Sequence, residues 1–407
     1  MHLRIRGPAE LVGMNVLRGN WGARVETQRI SEVDLVLIQR DFPRFWSAYR
    51  DVIQLTRRMG KFLIYELDDL LFELPEDHSH RHDYSGALTA MLAAVSDADL
   101  VTVSSEELRE YIRKINPNVR VLRNYLDDRI WPIRSIKKTD PDDSPVILGY
   151  MGGETHQSDL EMIEPVLKRM LNKYGDRIAF RFWGGKPPAG ILSFSSTDWT
   201  AIDELNYRRF AGFFANQDCD IVIAPLRDTS FNRAKSGIKF LEYSALGKAG
   251  VYSRLPPYQT IVDDGVSGFL AGSEEEWETA LCRLIESPEL RFQIGSEAQK
   301  TLMAGWLLRN HANEWIAAYN EAMKPDDKAE SRDNGSISTV LSQSAMRFEQ
   351  MERELIFEKN QGIARDQQLK EILESRSWRL ISWLQRLRLW LIPKNSWRES
   401  LLVRLFK

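Results

Sequence analysis

Ala224-Pro-Leu-Arg-Asp-Thr-Ser-Phe-Asn-Arg-Ala-Lys-Ser-Gly-Ile-Lys-Phe-Leu-Glu-Tyr-Ser-Ala-Leu-Gly247 is the stretch on which the reading of this sequence turns. It opens at the end of a short apolar run, crosses a polar loop, and continues as a helical pattern from near Ser236. A strand that feeds a loop and then a helix is the repeating unit of an α/β protein. The start of such a helix leaves backbone N–H groups without intrahelical acceptors and carries the positive end of the dipole, so it favours an anion. Ser236 and Gly237 let a phosphate approach closely, and Lys235 and Arg233 supply charge against a diphosphate. Glu242, about two turns along, is placed to accept hydrogen bonds from ribose hydroxyls. Gly247 ends the helix. Taken singly, Glu242 is an ordinary helix acid and Lys235 a solvated loop charge; their combination at one helix start favours the phosphate site. Lys239, four residues after Lys235, reads as a supporting or solvent charge.

Outward from this stretch the alternation repeats. Val33–Ile38, Phe62–Tyr65, Leu100–Val103 and Val119–Leu122 are short apolar runs of the kind buried on both faces of a parallel sheet. Helical patterns cover Phe45–Met59, Ser85–Ser96 and Ser105–Ile115. After the polar segment 137–145, strands are expected near Val146–Tyr150, Ile178–Trp183, Asp220–Ala224 and Gly250–Ser253, with helices near Gln157–Lys173, Tyr207–Asn216 and Ser236–Leu246. Three helical stretches run from about Glu274 to Met323. The expected fold class is α/β: two Rossmann-like domains, 1–136 and 146–323, facing a cleft and joined by the linker 137–145, plus a C-terminal helical extension.

In that extension, 324–339 reads as a flexible linker and 340–374 as a charged helix. Leu341, Phe348 and Leu355 recur there at seven-residue spacing, an incomplete seam through which the chain is expected to self-associate. The tail 375–407 carries eight basic residues against one acid, and four of the twelve tryptophans, Trp378, Trp383, Trp390 and Trp397. Leu380, Trp383, Leu384, Leu387, Trp390 and Leu391 share one helix face flanked by arginines, the pattern of a helix lying in a membrane interface. A helix docked on protein is the plainer alternative.

Composition narrows the function. A chain of 407 residues exceeds one ordinary core, and 43% hydrophobic with 28% charged residues describes a folded protein. A net charge of -3 gives no sign of bulk nucleic-acid binding. Cys219 and Cys282 alone make no disulfide framework and fit a reducing compartment. The N-terminus has no apolar leader and the chain no run long enough to span a bilayer, so a cytoplasmic protein held at the inner face of the membrane by its tail is expected. Without HExxH or CxxC spacing, no metal is expected.

Further candidates lie elsewhere. Gly149, Gly152 and Gly153 in Gly149-Tyr-Met-Gly-Gly-Glu-Thr-His156 allow close backbone approach, and His156, at a helix start, could donate to a phosphate or to a sugar. Asp68 and Asp69 end a buried strand, where α/β domains place ligand contacts; one could contact or deprotonate an acceptor hydroxyl, or both could serve a turn. His78, His80 and His82 alternate in a way that can bind metal, though an acceptor loop suits them better.

The 224–247 stretch resembles the donor-binding region of glycosyltransferase family 4, retaining enzymes of the GT-B fold. Tyr65-Glu-Leu-Asp-Asp-Leu-Leu-Phe-Glu-Leu-Pro75 resembles a segment of bacterial members that build surface polysaccharides, the segment from Gly149 to His156, with Asp159, resembles the start of their second domain, and Val251–Tyr258 with Asp264–Gly268 resembles their late loop and strand. The resemblance covers roughly residues 30 to 320. It implies a nucleotide-diphosphate-sugar donor, a saccharide or lipid-linked acceptor, retention of configuration, and no metal or other cofactor. It also implies a pair of glutamates eight positions apart; Glu242 matches the second, and Ala234 stands where the first would fall. The family's Gly-rich loop after the first strand is not evident, and Gly7-Pro-Ala-Glu-Leu-Val-Gly13 stands in its place. The departures leave two rival expectations, a catalytically inactive scaffold of a polysaccharide assembly complex and a nucleotide-sugar epimerase.

Overall fold

The computed structural model describes residues 2–324 apart from 23, 43–44, 137–143 and 203–205, together with scattered residues between 343 and 370. The basic tail 375–407, most of both linkers, and Leu341, Phe348 and Leu355 lie outside the described residues. Residues 1–345 form one compact unit and 346–407 a second, whose described residues are helical and exposed.

Two parallel sheets organise the first unit. In the first, β1 (Leu35–Gln39), β2 (Phe62–Leu67), β3 (Leu100–Val103) and β4 (Val119–Val121) lie side by side in chain order. The helices α1 (Trp46–Arg58), α2 (Leu88–Asp97) and α3 (Glu106–Ile112) make the crossovers that parallel neighbours require. The second sheet holds β5 (Val146–Gly152), β6 (Ile178–Gly184), β7 (Thr197–Thr200), β8 (Ile221–Ala224), β9 (Ala249–Ser253) and β10 (Phe269–Ala271), in the order β10-β9-β8-β5-β6-β7. Its strand order reverses between β5 and β8, and a crevice opens outside the strand ends at such a point.

Alternating side chains explain the burial of this sheet on both faces. Leu148, Tyr150, Phe180 and Phe182 pack with Val166, Leu167 and Met170 of α5 (Glu164–Tyr174) and with Trp277, Leu281 and Leu284 of a later helix. Met151, Trp183, Val222 and Tyr252 face the other way, toward Phe214 of α6 (Tyr207–Ala215) and Phe240 and Tyr243 of α7 (Ile238–Ala245). The expected single helix over Gln157–Lys173 is two, α4 (Gln157–Met162) and α5, because Pro165 restarts the helix and cannot donate to the turn before it. β7 was not expected: Thr197-Asp-Trp-Thr200 has no apolar run, since it is an edge strand with three exposed residues.

The chain then returns to the first sheet. Leu126 and Leu307 pair as a bridge, and the helix Asn313–Ala322, read from sequence with the second set, packs Trp315 and Tyr319 against Ile64, Leu100 and Leu122. The N-terminal segment is helical, and Gly7–Val12 is closed by Gly13 at φ 71°. Arg4 in this segment is buried and donates through Nε to Glu66 at 2.8 Å, and through Nη1 to the Leu122 carbonyl and to Asn124 Oδ1. Its own carbonyl accepts from Trp315 Nε1 at 2.9 Å. One residue thus ties together the N-terminus, the end of β2, the residues after β4 and the helix Asn313–Ala322.

Removing one member of a buried ion pair strands the other charge, at a cost of about 3–5 kcal/mol. Arg4→Met is expected to lower unfolding stability by that order in a urea titration. Adding Glu66→Gln should recover part of the loss, because the stranded charge is gone.

Candidate functional site

The loop after β8 is held from both sheets. On the side of the second sheet, Leu226 N–H donates to Ser253 Oγ at 2.7 Å and Arg227 N–H to Asp159 Oδ1 at 2.8 Å. Thr229 caps the short turn Ser230–Arg233 by accepting from Asn232 N–H, and Asn232 Nδ2 donates to the same Asp159 oxygen at 2.9 Å. On the side of the first sheet, Phe231 and Ala234 are buried in the core cluster that contains Leu67, Leu70 and Leu108. Ser105, the cap of α3, donates its hydroxyl to the Ala234 carbonyl at 2.6 Å while accepting from Leu108 N–H. Asn124 donates to Ser236 Oγ at 2.7 Å. Asp77 adds a polar clasp, pairing both oxygens with Arg227 and accepting from Ser158 at 2.6 Å.

Three basic groups meet around this loop. Lys235 is half-buried, its Nζ 4.5 Å from the centre of the Phe231 ring. Lys239, in the first turn of α7, donates to the Met151 carbonyl at 2.8 Å; burial pulls it down to about 8, against the pull of Glu242. Of the two sequence readings of Lys239, the solvent charge is corrected by this placement and the supporting charge is left: the amine is buried beside Tyr150. His156 bonds Asp159 Oδ2 through Nδ1 at 2.7 Å, and burial, then Lys235, lower its pKa to about 4.

Glu242 is 5% exposed and accepts from Tyr207 Oη at 3.0 Å, while Tyr207 accepts from Trp131 Nε1 at 2.9 Å. Burial raises the Glu242 carboxyl to about 7, with Lys239 opposing. At Gly237 a Cβ would fall 2.4 Å from the Pro257 carbonyl, so only glycine lets the turn after β9 approach here. A cavity of about 430 Å³ opens between the sheets, with Ser105, Arg123, Lys235, Ser236 and Trp306 in its wall.

Other expected residues stand apart. Arg233 is exposed and pairs through Nε and Nη2 with both oxygens of Asp228. Gly149 lies inside β5, where a Cβ would meet Trp183 at 2.8 Å; its smallness serves packing, whereas Gly152 makes room for Tyr150 Oη and Lys239 Nζ. A Cβ on Gly153 would meet only Thr155 Oγ1, at 4.0 Å. Asp68 and Asp69 lie at the end of β2, held by Arg40 at 3.3 and 2.9 Å. Burial works against the Arg40 charge, and Asp68 and Asp69 outweigh it, so the guanidinium stays charged above its ordinary value. His78 meets the Phe231 ring edge at 5.3 Å, and His80 pairs with Asp83. Among the described residues, no group of three His, Cys, Asp or Glu gathers to hold a metal, and no helix is long and apolar enough to cross a membrane.

Sequence reading missed Asn124 and Tyr207, which reach the site through tertiary packing alone, and it left Asp159 without a role. The signal for Asp159 was available, since residues three apart on a helix face one another and His156 precedes it by three.

The absent glutamate has a structural reason. Ala234 is 2% exposed within the first sheet's core, and a carboxylate there would be buried without a partner. Ala234→Glu is expected to destabilise the chain by about 2 kcal/mol or more, read as an earlier urea midpoint, and not to raise any transferase activity.

Comparison with known proteins fits this geometry. Residues 147–287 match the family model described as glycosyl transferases group 1. No curated protein matches the chain in sequence. Among solved structures, Anabaena HepE in complex with UDP-glucose superposes with a TM-score of 0.53 at 16% identity, covering 76% of this chain and 86% of that one. Sucrose-phosphate synthase from Thermosynechococcus elongatus gives 0.52 at 13%, covering 71% and 74%. A glycosyltransferase from Rickettsia africae gives 0.51 at 14%, covering 77% and 85%. At such identities the likeness speaks for the fold. The chain is built on the GT-B fold, and its residues 147–287 match the model described as glycosyl transferases group 1.

Proposed function

We propose that this chain is a metal-independent hexosyltransferase of the family 4 type. It moves a sugar from a nucleotide-diphosphate-sugar to a saccharide or lipid-linked acceptor, with retention of configuration, in bacterial surface polysaccharide synthesis such as that of O-antigen. The observation that carries the reading is the convergence of Lys235, Lys239 and His156 on the start of α7, with Glu242 one turn deeper. Negative charge grows on the diphosphate as the glycosidic bond breaks, and fixed positive charge beside it lowers the barrier. Lys235 and the first N–H groups of α7 hold the diphosphate, and Glu242 receives the ribose hydroxyls. The donor is held by protein groups without a cofactor. The acceptor approaches from Asp68 and Asp69, whose carboxylates Arg40 fixes in place. The arginine- and tryptophan-rich tail seats the enzyme on the inner face of the membrane, and residues 340–374 serve self-association.

The scaffold reading draws on Ala234, whose side chain is buried in the core of the first sheet. Calorimetry with UDP, GDP and dTDP separates the two. One nucleotide is expected to bind with micromolar affinity, and Lys235→Ala should weaken it by ten-fold or more, the order for a charge-assisted bond of about 1.5–3 kcal/mol. Affinity is expected to fall as pH rises through about 8, where Lys239 loses its proton. A folded protein that binds none of the three fits a scaffold instead.

A further inference from the structure

We infer that His156, oriented by Asp159, enters the donor site as a neutral ring with a bare Nε2 and takes up one proton when the donor diphosphate binds. The inference rests on the donor-site reading above and adds to it a protonation change at a named atom. It also makes Asp159 a positioning residue for the donor site.

Asp159 fixes the tautomer. Its side chain is buried; Oδ1 accepts from Arg227 N–H at 2.8 Å and from Asn232 Nδ2 at 2.9 Å, and Oδ2 lies 2.7 Å from His156 Nδ1. A carboxylate that accepts two N–H bonds on one oxygen has only acceptors to offer the ring, so Nδ1 carries the hydrogen and the neutral ring leaves Nε2 as a lone pair. The hydrogen position follows from this network.

The surroundings decide the charge. Lys235 approaches from the loop and Lys239 from the first turn of α7, and both oppose a positive ring. Asp159, on the helix that follows His156, pulls the other way. His78 lies across Lys235 on the first-sheet side and is itself lowered by burial and by that lysine, while the Arg227 guanidinium is turned to Asp77. Burial and the lysines win, and the ring falls to about 4. The diphosphate of a sugar nucleotide brings two negative charges into the same space. It cancels the lysine repulsion, and a phosphate oxygen facing the Nε2 lone pair is repelled until that nitrogen takes a proton and becomes a donor.

The sign follows from the linkage. A group whose pKa rises on binding takes up protons between its free and bound values, and affinity increases as pH falls through that window. The window opens at about 4, where the free ring titrates, and closes at the higher value of the complex. Near pH 6, Lys239 at about 8 stays charged through binding; Glu242 and His78 face the same incoming charge, so the proton that belongs to the ring is the difference in uptake between the wild type and His156→Gln.

Calorimetric titration with UDP-glucose, GDP-mannose and dTDP-glucose near pH 6, in buffers of different ionisation enthalpy, counts the protons. A diphosphate esterified at both ends has no ionisation of its own in this range, unlike a free nucleoside diphosphate. Wild-type protein is expected to take up close to one proton per sugar nucleotide bound. His156→Gln should bind more weakly, with uptake lower than that of the wild type by close to one proton. Asp159→Asn offers the ring an amide N–H in place of an oxygen, which moves the ring hydrogen to Nε2; binding should persist with uptake lowered by the same amount, an outcome that simple loss of packing does not produce. Binding by the wild type without proton uptake, or full uptake retained by His156→Gln, overturns the inference and leaves the donor site standing. Failure of the folded wild type to bind any of the three overturns the donor-site reading and this inference with it.

Discussion

The loop from Leu226 to Gly237 is anchored to both sheets at once, and the rest of the structure is arranged around that constraint. Its backbone is bonded to Asp159 and Ser253 on one side, and its Phe231 and Ala234 are sunk in the hydrophobic core on the other. Asn124 and Ser105 pin Ser236 and the Ala234 carbonyl from the first sheet. The loop therefore belongs to neither half alone.

Electrostatics adds a second layer. Three basic groups around one loop are costly to bring together, and the protein manages them in different ways. Lys239 is desolvated and leans on a carbonyl and on Glu242, His156 stays neutral, and Lys235 covers an aromatic ring. Strongly shifted groups gathered in a cleft are the usual mark of a functional site. The buried Arg4–Glu66 pair is of another kind: it lies behind the site, holds Asn124 in place, and so supports Ser236 from a distance.

The α/β alternation was legible because strands buried on both faces leave continuous apolar runs such as Leu100–Val103, and because Ser105 and the acids after it mark a helix start. The loop after β8 was legible for the same reason: a strand end, a lysine, a small residue and a helix follow one another within the sequence. What a residue touches across the fold was not legible. Arg233 and Lys235 are near neighbours in sequence and equally basic, yet one is spent on Asp228 at the surface and the other lies in the cleft. Gly149 and Gly152 look alike in sequence, and strand alternation gives the first to the core beneath Trp183. Ala234 read as the place of a missing glutamate, whereas its environment belongs to the opposite sheet, information that only the tertiary structure carries.

The central claim is that the doubly anchored loop and the start of α7 form the donor site. A crystal structure of the protein with a bound nucleoside diphosphate tests it most directly. The account predicts the diphosphate within hydrogen-bonding distance of Lys235 Nζ and of the backbone N–H groups at Ser236 and Gly237, with the ribose at Glu242. A nucleotide seated elsewhere in the cleft, with Lys235 still over the Phe231 ring and unchanged contacts at Ser236, would contradict it.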